Sequence, residues 1–432
     1  MTGMSNRMFS VVGLGSATAI SGLGSYLVLI LAARGLDDVD YSAFAAFWSI
    51  SVVLGLGFYF PIEQETAREL AGSRDKKVRR ILPGMAATTL IVTASVAVSL
   101  LLMLLPPFRG FMPTELVLVS ILCLVSYGLQ FPVRGVLSGL RSTNRYSAIV
   151  GLEGLFRILL PMAVLLSGAS SPAAFALAVA LSTAFSVIPA ISIMLFRRKP
   201  LEARATAQEP PSGSARFVRR ALRLVAAALS IQLLLNSAVL IARGTGSADP
   251  LLAGQILACL AMARIPIFGY QVLQVLYLPR VAAHHRAGRS PQVRRLIITA
   301  LAITTAVAIV DVVVIAFAGE WIIGLLFGDS LVATLDARLL ISLGVAVYMI
   351  AIVLSDTAVA IGLHGLVMRA WLVSAAIGLG VLAVTPGTYL SATLPLICGS
   401  LAAVAQLAIG LGGARKRADR ESATTIDPHG TA

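Results

Sequence analysis

Polar residues in this chain come in short bursts, and between the bursts run twelve apolar stretches: 8–33, 42–66, 82–106, 115–138, 146–167, 173–196, 221–243, 251–278, 296–318, 338–362, 369–387 and 389–412. A helix needs about 20 mostly apolar residues to cross a hydrocarbon core, and each stretch reaches or approaches that length. The pattern predicts an all-α, polytopic membrane protein of about twelve spans. Little chain is left over for a soluble domain.

The polar bursts alternate in character. Arg68 to Arg80, Arg141 and Arg145, Arg197 to Arg223, Arg280 to Arg295, Arg369, and Arg415 to Arg420 all fall on one side of the array. The opposite connections are short and acidic or neutral, with Asp37, Asp38, Asp40, Asp249, Glu320, Asp329 and Asp336. Lys and Arg collect on the cytoplasmic side of membrane proteins, so both termini are expected inside and the span number even. The expected location is the cell membrane.

The chain also repeats itself. Ala33-Arg34-Gly35 closes the first stretch and Ala242-Arg243-Gly244 closes the seventh, while Val78-Arg79-Arg80 is echoed by Val293-Arg294-Arg295. Between the copies lies the longest polar segment, rich in Pro, Ser, Gly and Arg, which has the composition of a flexible linker. The expected organisation is a six-span lobe at 1–196, a cytoplasmic linker at 197–220, a second six-span lobe at 221–412 and a disordered tail at 413–432. Two copies of six spans share one orientation, and internal repeats of this kind are a transporter signature.

Composition agrees with the pattern. Apolar residues make up 58% and charged residues 12% of the chain, and the mean hydropathy is +0.90, far from the roughly 25% charged residues of soluble domains. The formal charge of +14 would suggest nucleic acid in a soluble protein; here it is a topology signal, and no nucleic-acid partner is expected. Cys123, Cys259 and Cys398 sit inside apolar stretches without paired spacing, which indicates packing rather than a disulfide or a metal site. The first stretch lacks a short apolar region followed by a small-residue cleavage site, and reads as span one rather than a removed signal.

Charge inside a span costs about 2.5–3.5 kcal/mol on insertion scales, so each buried charge needs a partner, water or a task. The cations are Arg134 beside Pro132, Arg157 and Arg264, the last two residues before Pro266. Arg157 has Glu153 four positions earlier on the same helical face, which either neutralises it or shares a site with it. Arg264 has no acid within a turn, and the proline beside it frees backbone carbonyls, a feature of transporter sites. Arg134 is close enough to the inner end to snorkel. Arg34 and Arg243 mark the outer interface or form a basic rim there. The anions are Glu63 and Glu65 at the inner end of span two, Asp311 in span nine and Asp356 in span ten. Intramembrane carboxylates suit proton or sodium coupling, because a bound cation offsets the cost of burial.

Gln130, Gln232, Asn236, Gln255, Gln271 and Gln274 are neutral polar residues within spans. Gln232 and Asn236 stand one turn apart on one face. Any one of them is explained by hydrogen bonding between helices; together they point to a wet interior. No catalytic constellation is present: His284, His285, His364 and His429 lie at loops or tail, and the phosphate-cradling GxxxxGK[ST] loop is absent. The chain reads as a non-enzyme with no organic or metal cofactor, driven by a proton or sodium gradient.

Twelve spans in two lobes, Leu31-Ala32-Ala33-Arg34-Gly35 ahead of Tyr41, the Phe58 to Arg68 end of span two, and Leu325-Leu326-Phe327-Gly328-Asp329 before span ten together resemble the multidrug/oligosaccharidyl-lipid/polysaccharide (MOP) exporter superfamily, and within it the Wzx-type flippases of the polysaccharide branch. The likeness covers residues 8–412. It implies a MATE-like, V-shaped pair of lobes around a positively charged cavity, working by ion-coupled alternating access on an undecaprenyl-pyrophosphate-linked oligosaccharide. It also implies membrane lipid, glycosyltransferases and a glycan polymerase as partners. Carried over by chemistry and depth, Arg134, Arg157, Arg264, Gln232 and Asn236 become the substrate-binding candidates, and Asp311, Glu63, Glu65 and Asp356 the ion-coupling candidates. The alternatives are a cation-coupled multidrug exporter, a lipid II flippase, which has two more spans, and a membrane glycan polymerase or ligase, which needs a larger outer loop than this chain has.

Overall fold

The computed structural model describes residues 2–72, 78–105, 111–196, 214–244, 249–384 and 389–425. Among them twelve helical segments are long and apolar enough to cross a membrane: Gly13–Gly35, Asp38–Ala71, Ile81–Leu102, Thr114–Gly139, Thr143–Leu166, Pro172–Pro189, Ser214–Gly244, Leu252–Tyr270, Ser290–Phe327, Leu335–Ala360, His364–Leu382 and Tyr389–Ala414. These are spans one to twelve, and each overlaps one predicted stretch. No strand occurs among the described residues. Helices satisfy their own backbone groups, the condition for crossing hydrocarbon. Their outer faces are apolar as well: Leu90, Phe317, Trp321 and Ile409 are 69–88% exposed, surface suited to acyl chains.

The two halves repeat the same packing. Span one lies on span five as span seven lies on span eleven; span four lies on span six as span ten lies on span twelve. Small residues set the close approaches. A Cβ on Gly154 would stand 2.6 Å from the Ser21 backbone, and one on Gly139 would stand 2.6 Å from Leu70 Cβ. The Gly135-to-Gly139 spacing gives span four a small-residue face toward span two, a standard device of membrane helix pairs.

The second span of each half is irregular at matching places. Span two carries a π-helical turn at Val53–Tyr59, a distortion common at functional sites. Span eight breaks: one helix ends at Ala263, Arg264 caps it, and a second runs Ile265–Arg286. Pro266 explains the break, because it lacks the N–H that a continuous helix requires there. Superposing Arg34 on Arg243 places Val53–Tyr59 on 262–268. The duplication thus extends to the irregular backbone, where transporters of repeated architecture place their sites.

Two boundaries differ from expectation. Span seven begins at Ser214, so 214–220 are helix rather than linker, while 197–213 lie outside the described residues. The last helix continues to Thr425, through most of the segment expected to be disordered; 426–432 are outside the described residues. Apolar patterning stops at Gly413, but Ala, Arg, Lys and Glu beyond it are strong helix formers without any apolar face.

Candidate functional site

The interior charges divide into two groups of opposite kind. In the first lobe, Glu153 on span five accepts hydrogen bonds from Arg157 Nη2 at 2.6 Å, Gln130 Nε2 at 3.0 Å and Thr183 Oγ1 at 3.3 Å, and Arg134 Nη1 stands 3.8 Å away. Arg134 Nε lies 3.0 Å from Glu63 Oε2, and Arg134 Nη2 donates to Tyr146 Oη, which in turn donates to Glu63 at 2.8 Å. Arg157 Nη1 reaches Ser25 on span one at 3.1 Å. The guanidinium of Arg134 also lies against the Phe131 and Tyr146 rings, 4.8 and 5.3 Å from their centroids, within cation–π range.

Two arginines and two glutamates from spans two, four and five therefore form a buried, neutral knot. Arg134 and Arg157, expected to bind substrate, and Glu63, expected to couple ions, are brought together and spend their charge on one another. Glu65 is separate, at the basic end, where Arg68 holds it at 2.6 Å. Arg220 of span seven stands 4.0 Å from Glu65 and 3.6 Å from Glu69, an ionic contact between the lobes.

The second lobe leaves charges uncompensated. Arg264, at the break in span eight, donates through Nη2 to Leu235 O at 2.6 Å and to Asn236 Oδ1 at 3.3 Å. Asn236 is itself fixed by Gln232, donating through Nδ2 to its backbone carbonyl at 2.8 Å and its side-chain oxygen at 3.4 Å. The predicted pair Gln232 and Asn236 is thus assembled with Arg264 into one cluster. No carboxylate among the described residues forms an ion pair with Arg264, and its Nε finds no acceptor. Tyr348 and, from the first lobe, Tyr26 lie in its electrostatic field. The site sits at the lobe boundary, where Tyr26 and Phe268 meet edge to face at 5.6 Å.

The two aspartates flank the second helix of span eight. Asp311, half-buried, lines an otherwise mostly apolar cavity of about 660 Å³ with Pro266, Phe268, Tyr270 and Thr304. Asp356 accepts from Tyr270 Oη at 2.6 Å and Gln274 Nε2 at 2.7 Å, and next to it Tyr277 and Thr357 share a 2.5 Å hydrogen bond. Asp356 thereby ties the inner arm of span eight to span ten.

The repeated arginines have a role that sequence alone did not show. Arg34 donates across the lobe boundary to the carbonyls of Gly324 and Leu326, each at 3.2 Å, and to that of Leu325. These carbonyls lie in the last turn of span nine, where a cation is favoured by the helix dipole. Arg243 makes the reciprocal crossing, Nε donating to Phe111 O at 2.9 Å. Ser330 Oγ to Asp38 at 2.7 Å and Gly254 N to Ser42 Oγ at 3.1 Å complete the seam. Toward the basic end, a Cβ on Gly13 or Gly15 of span one would meet nothing within 4 Å.

No family model matches the chain. It is similar to an uncharacterized protein of Mycobacterium bovis (strain ATCC BAA-935 / AF2122/97), 26% identical over 415 residues that cover 91% of this chain and 90% of that one. Among solved structures it is similar to an inward-facing multidrug resistance MATE family transporter of the MOP superfamily, with a TM-score of 0.67, 14% identity and coverage of 97% and 100%. It is also similar to a MOP superfamily transporter from Pyrococcus furiosus, for which reversed polarity of the binding pocket suggests a different function, with a TM-score of 0.61, 14% identity and coverage of 95% of each chain. The chain is a multi-pass membrane protein with the MATE-like transporter fold.

Proposed function

We propose that this protein is a flippase that carries an anionic, lipid-linked oligosaccharide from the cytoplasmic to the outer leaflet by ion-coupled alternating access. The observation that carries the reading is Arg264: a guanidinium without a carboxylate partner, placed at a helix break on the lobe boundary, with Nε free to donate. A guanidinium fork matches phosphate geometry, so the pyrophosphate is assigned to this cluster, and Asn236 and Gln232 hold the side chain in place.

The basic end is taken as cytoplasmic on the distribution of arginines, in the cell membrane with both termini inside. Substrate enters from that end. The outer seam of Arg34 and Arg243 opens only after the inner end closes. Coupling to a proton or sodium gradient is assigned to Asp311 and Asp356, since Glu63 and Glu65 are already compensated. Glycosyltransferases that build the substrate and a polymerase that consumes it are the partners this activity requires.

One observation favours a second reading, a cation-coupled multidrug exporter: Asp311 is an uncompensated carboxylate in a mostly apolar cavity. The two readings assign opposite charge to the substrate. Arg264→Ala stops surface glycan production without reducing membrane insertion under the flippase reading. Wild-type glycan from a normally inserted Arg264→Ala protein would overturn it.

A further inference from the structure

We propose that a groove between the basic end of span seven and span eleven binds an anionic phospholipid as a resident ligand, separate from any transported molecule. The groove is shallow and open, with a volume of about 580 Å³. Val218, Leu222 and Ala226 of span seven and Met368 of span eleven form its apolar wall, and Arg219 and Arg223 also line it.

Helical geometry separates two uses of the basic residues here. Phe217 and Ala221 are buried, Phe217 packing beneath Gly84 of span three, and Arg220 follows them toward Glu69 at 3.6 Å. That face closes the lobe seam. Arg219 and Arg223, one turn apart on another stripe, are exposed and form no ion pair among the described residues. No carboxylate lines the groove.

The combination fits one occupant. A phosphate diester takes up the guanidiniums at the level of the helix ends, and an acyl chain lies along Leu222 and Ala226 deeper in the groove. A soluble anion would leave the apolar wall unused, and a zwitterionic lipid would set its own cation against two arginines. Basic pockets between membrane helices on the arginine-rich side recognise acidic headgroups for these reasons.

The test is retention of lipid by the purified full chain, read by native mass spectrometry after exposure to phosphatidylglycerol and phosphatidylcholine of identical acyl chains. The wild type retains phosphatidylglycerol in preference to phosphatidylcholine. At about fivefold per surface cation, Arg219→Gln with Arg223→Gln lowers retained phosphatidylglycerol at least tenfold. Ala226→Phe, which fills the groove and keeps both charges, lowers it as well. Arg289→Gln, exposed on the same end but outside the groove, leaves it unchanged. Equal retention of the two lipids, wild-type retention by the double variant, or an equal loss in Arg289→Gln would overturn the assignment.

Discussion

Removing the two repeated arginines is expected to unlock the outer end of the protein. Arg34 bonds three carbonyls at the end of span nine and Arg243 one at Phe111. A hydrogen bond to a charged group contributes about 1.5–3 kcal/mol when desolvated, but Arg34 is exposed and Arg243 only half-buried, so each bond is discounted to about 0.5 kcal/mol, the bottom of the range for an ordinary hydrogen bond. The four together give about 2 kcal/mol, or about thirtyfold in the ratio of closed to open outer seams. Spin labels at Val39 and Leu335, half-exposed residues on opposite lobes, report this ratio as a distance distribution by double electron–electron resonance, with Cys123, Cys259 and Cys398 replaced by Ala. The wild type gives one short population. Arg34→Ala with Arg243→Ala gains a longer one, and each single variant gains less. An unchanged distribution in the double variant would refute the latch and leave the repeated arginines as interface markers only.

Other consequences concern packing, charge and coupling. Gly154→Ala pushes a methyl group into the Ser21 backbone and is expected to cost about 1–3 kcal/mol, whereas Gly15→Ala, with open space around it, is neutral or stabilising; thermal unfolding in detergent compares them. Glu153→Gln leaves Arg157 and Arg134 buried without their shared carboxylate, a loss of about 3–5 kcal/mol. A melting shift worth under about 1 kcal/mol in Glu153→Gln would contradict the buried-knot reading. Asp311→Asn leaves the fold intact and removes the dependence of transport on the ion gradient; gradient-driven uptake at the wild-type rate would exclude Asp311 from coupling.

The architecture was legible because lipid imposes a one-dimensional rule. Each crossing must be a long apolar run, and each connection carries its side of the membrane in its charge, so the twelve spans could be read directly. Pairings within one helix were legible too: Glu153 with Arg157 and Gln232 with Asn236 follow from four-residue spacing. Contacts between helices were not. Arg134 meets Glu63 across 71 positions and Arg34 meets Leu326 across 292, and neither separation has a periodicity that a single sequence displays. For that reason Arg134 read as a substrate ligand although the fold pairs it with Glu63, and Tyr146 went without an assigned site role; Arg157 was carried into the substrate set by the resemblance although its pairing with Glu153 was legible. The signal that did carry over was the absence of an acid within a turn of Arg264, because the fold supplies no ion pair there either.

The free charge at the break of span eight is proposed to recognise an anionic lipid-linked glycan. The most direct test is translocation of a fluorescent polyprenyl-pyrophosphate oligosaccharide across proteoliposomes holding wild type, Arg264→Lys or Arg264→Gln, with a cationic dye assayed in parallel. A phosphate-recognising Arg264 gives glycolipid translocation by the wild type, partial transport by Arg264→Lys, background transport by Arg264→Gln, and no dye movement in any of them. Dye transport by the wild type without glycolipid translocation, or undiminished glycolipid translocation by Arg264→Gln, would contradict that role.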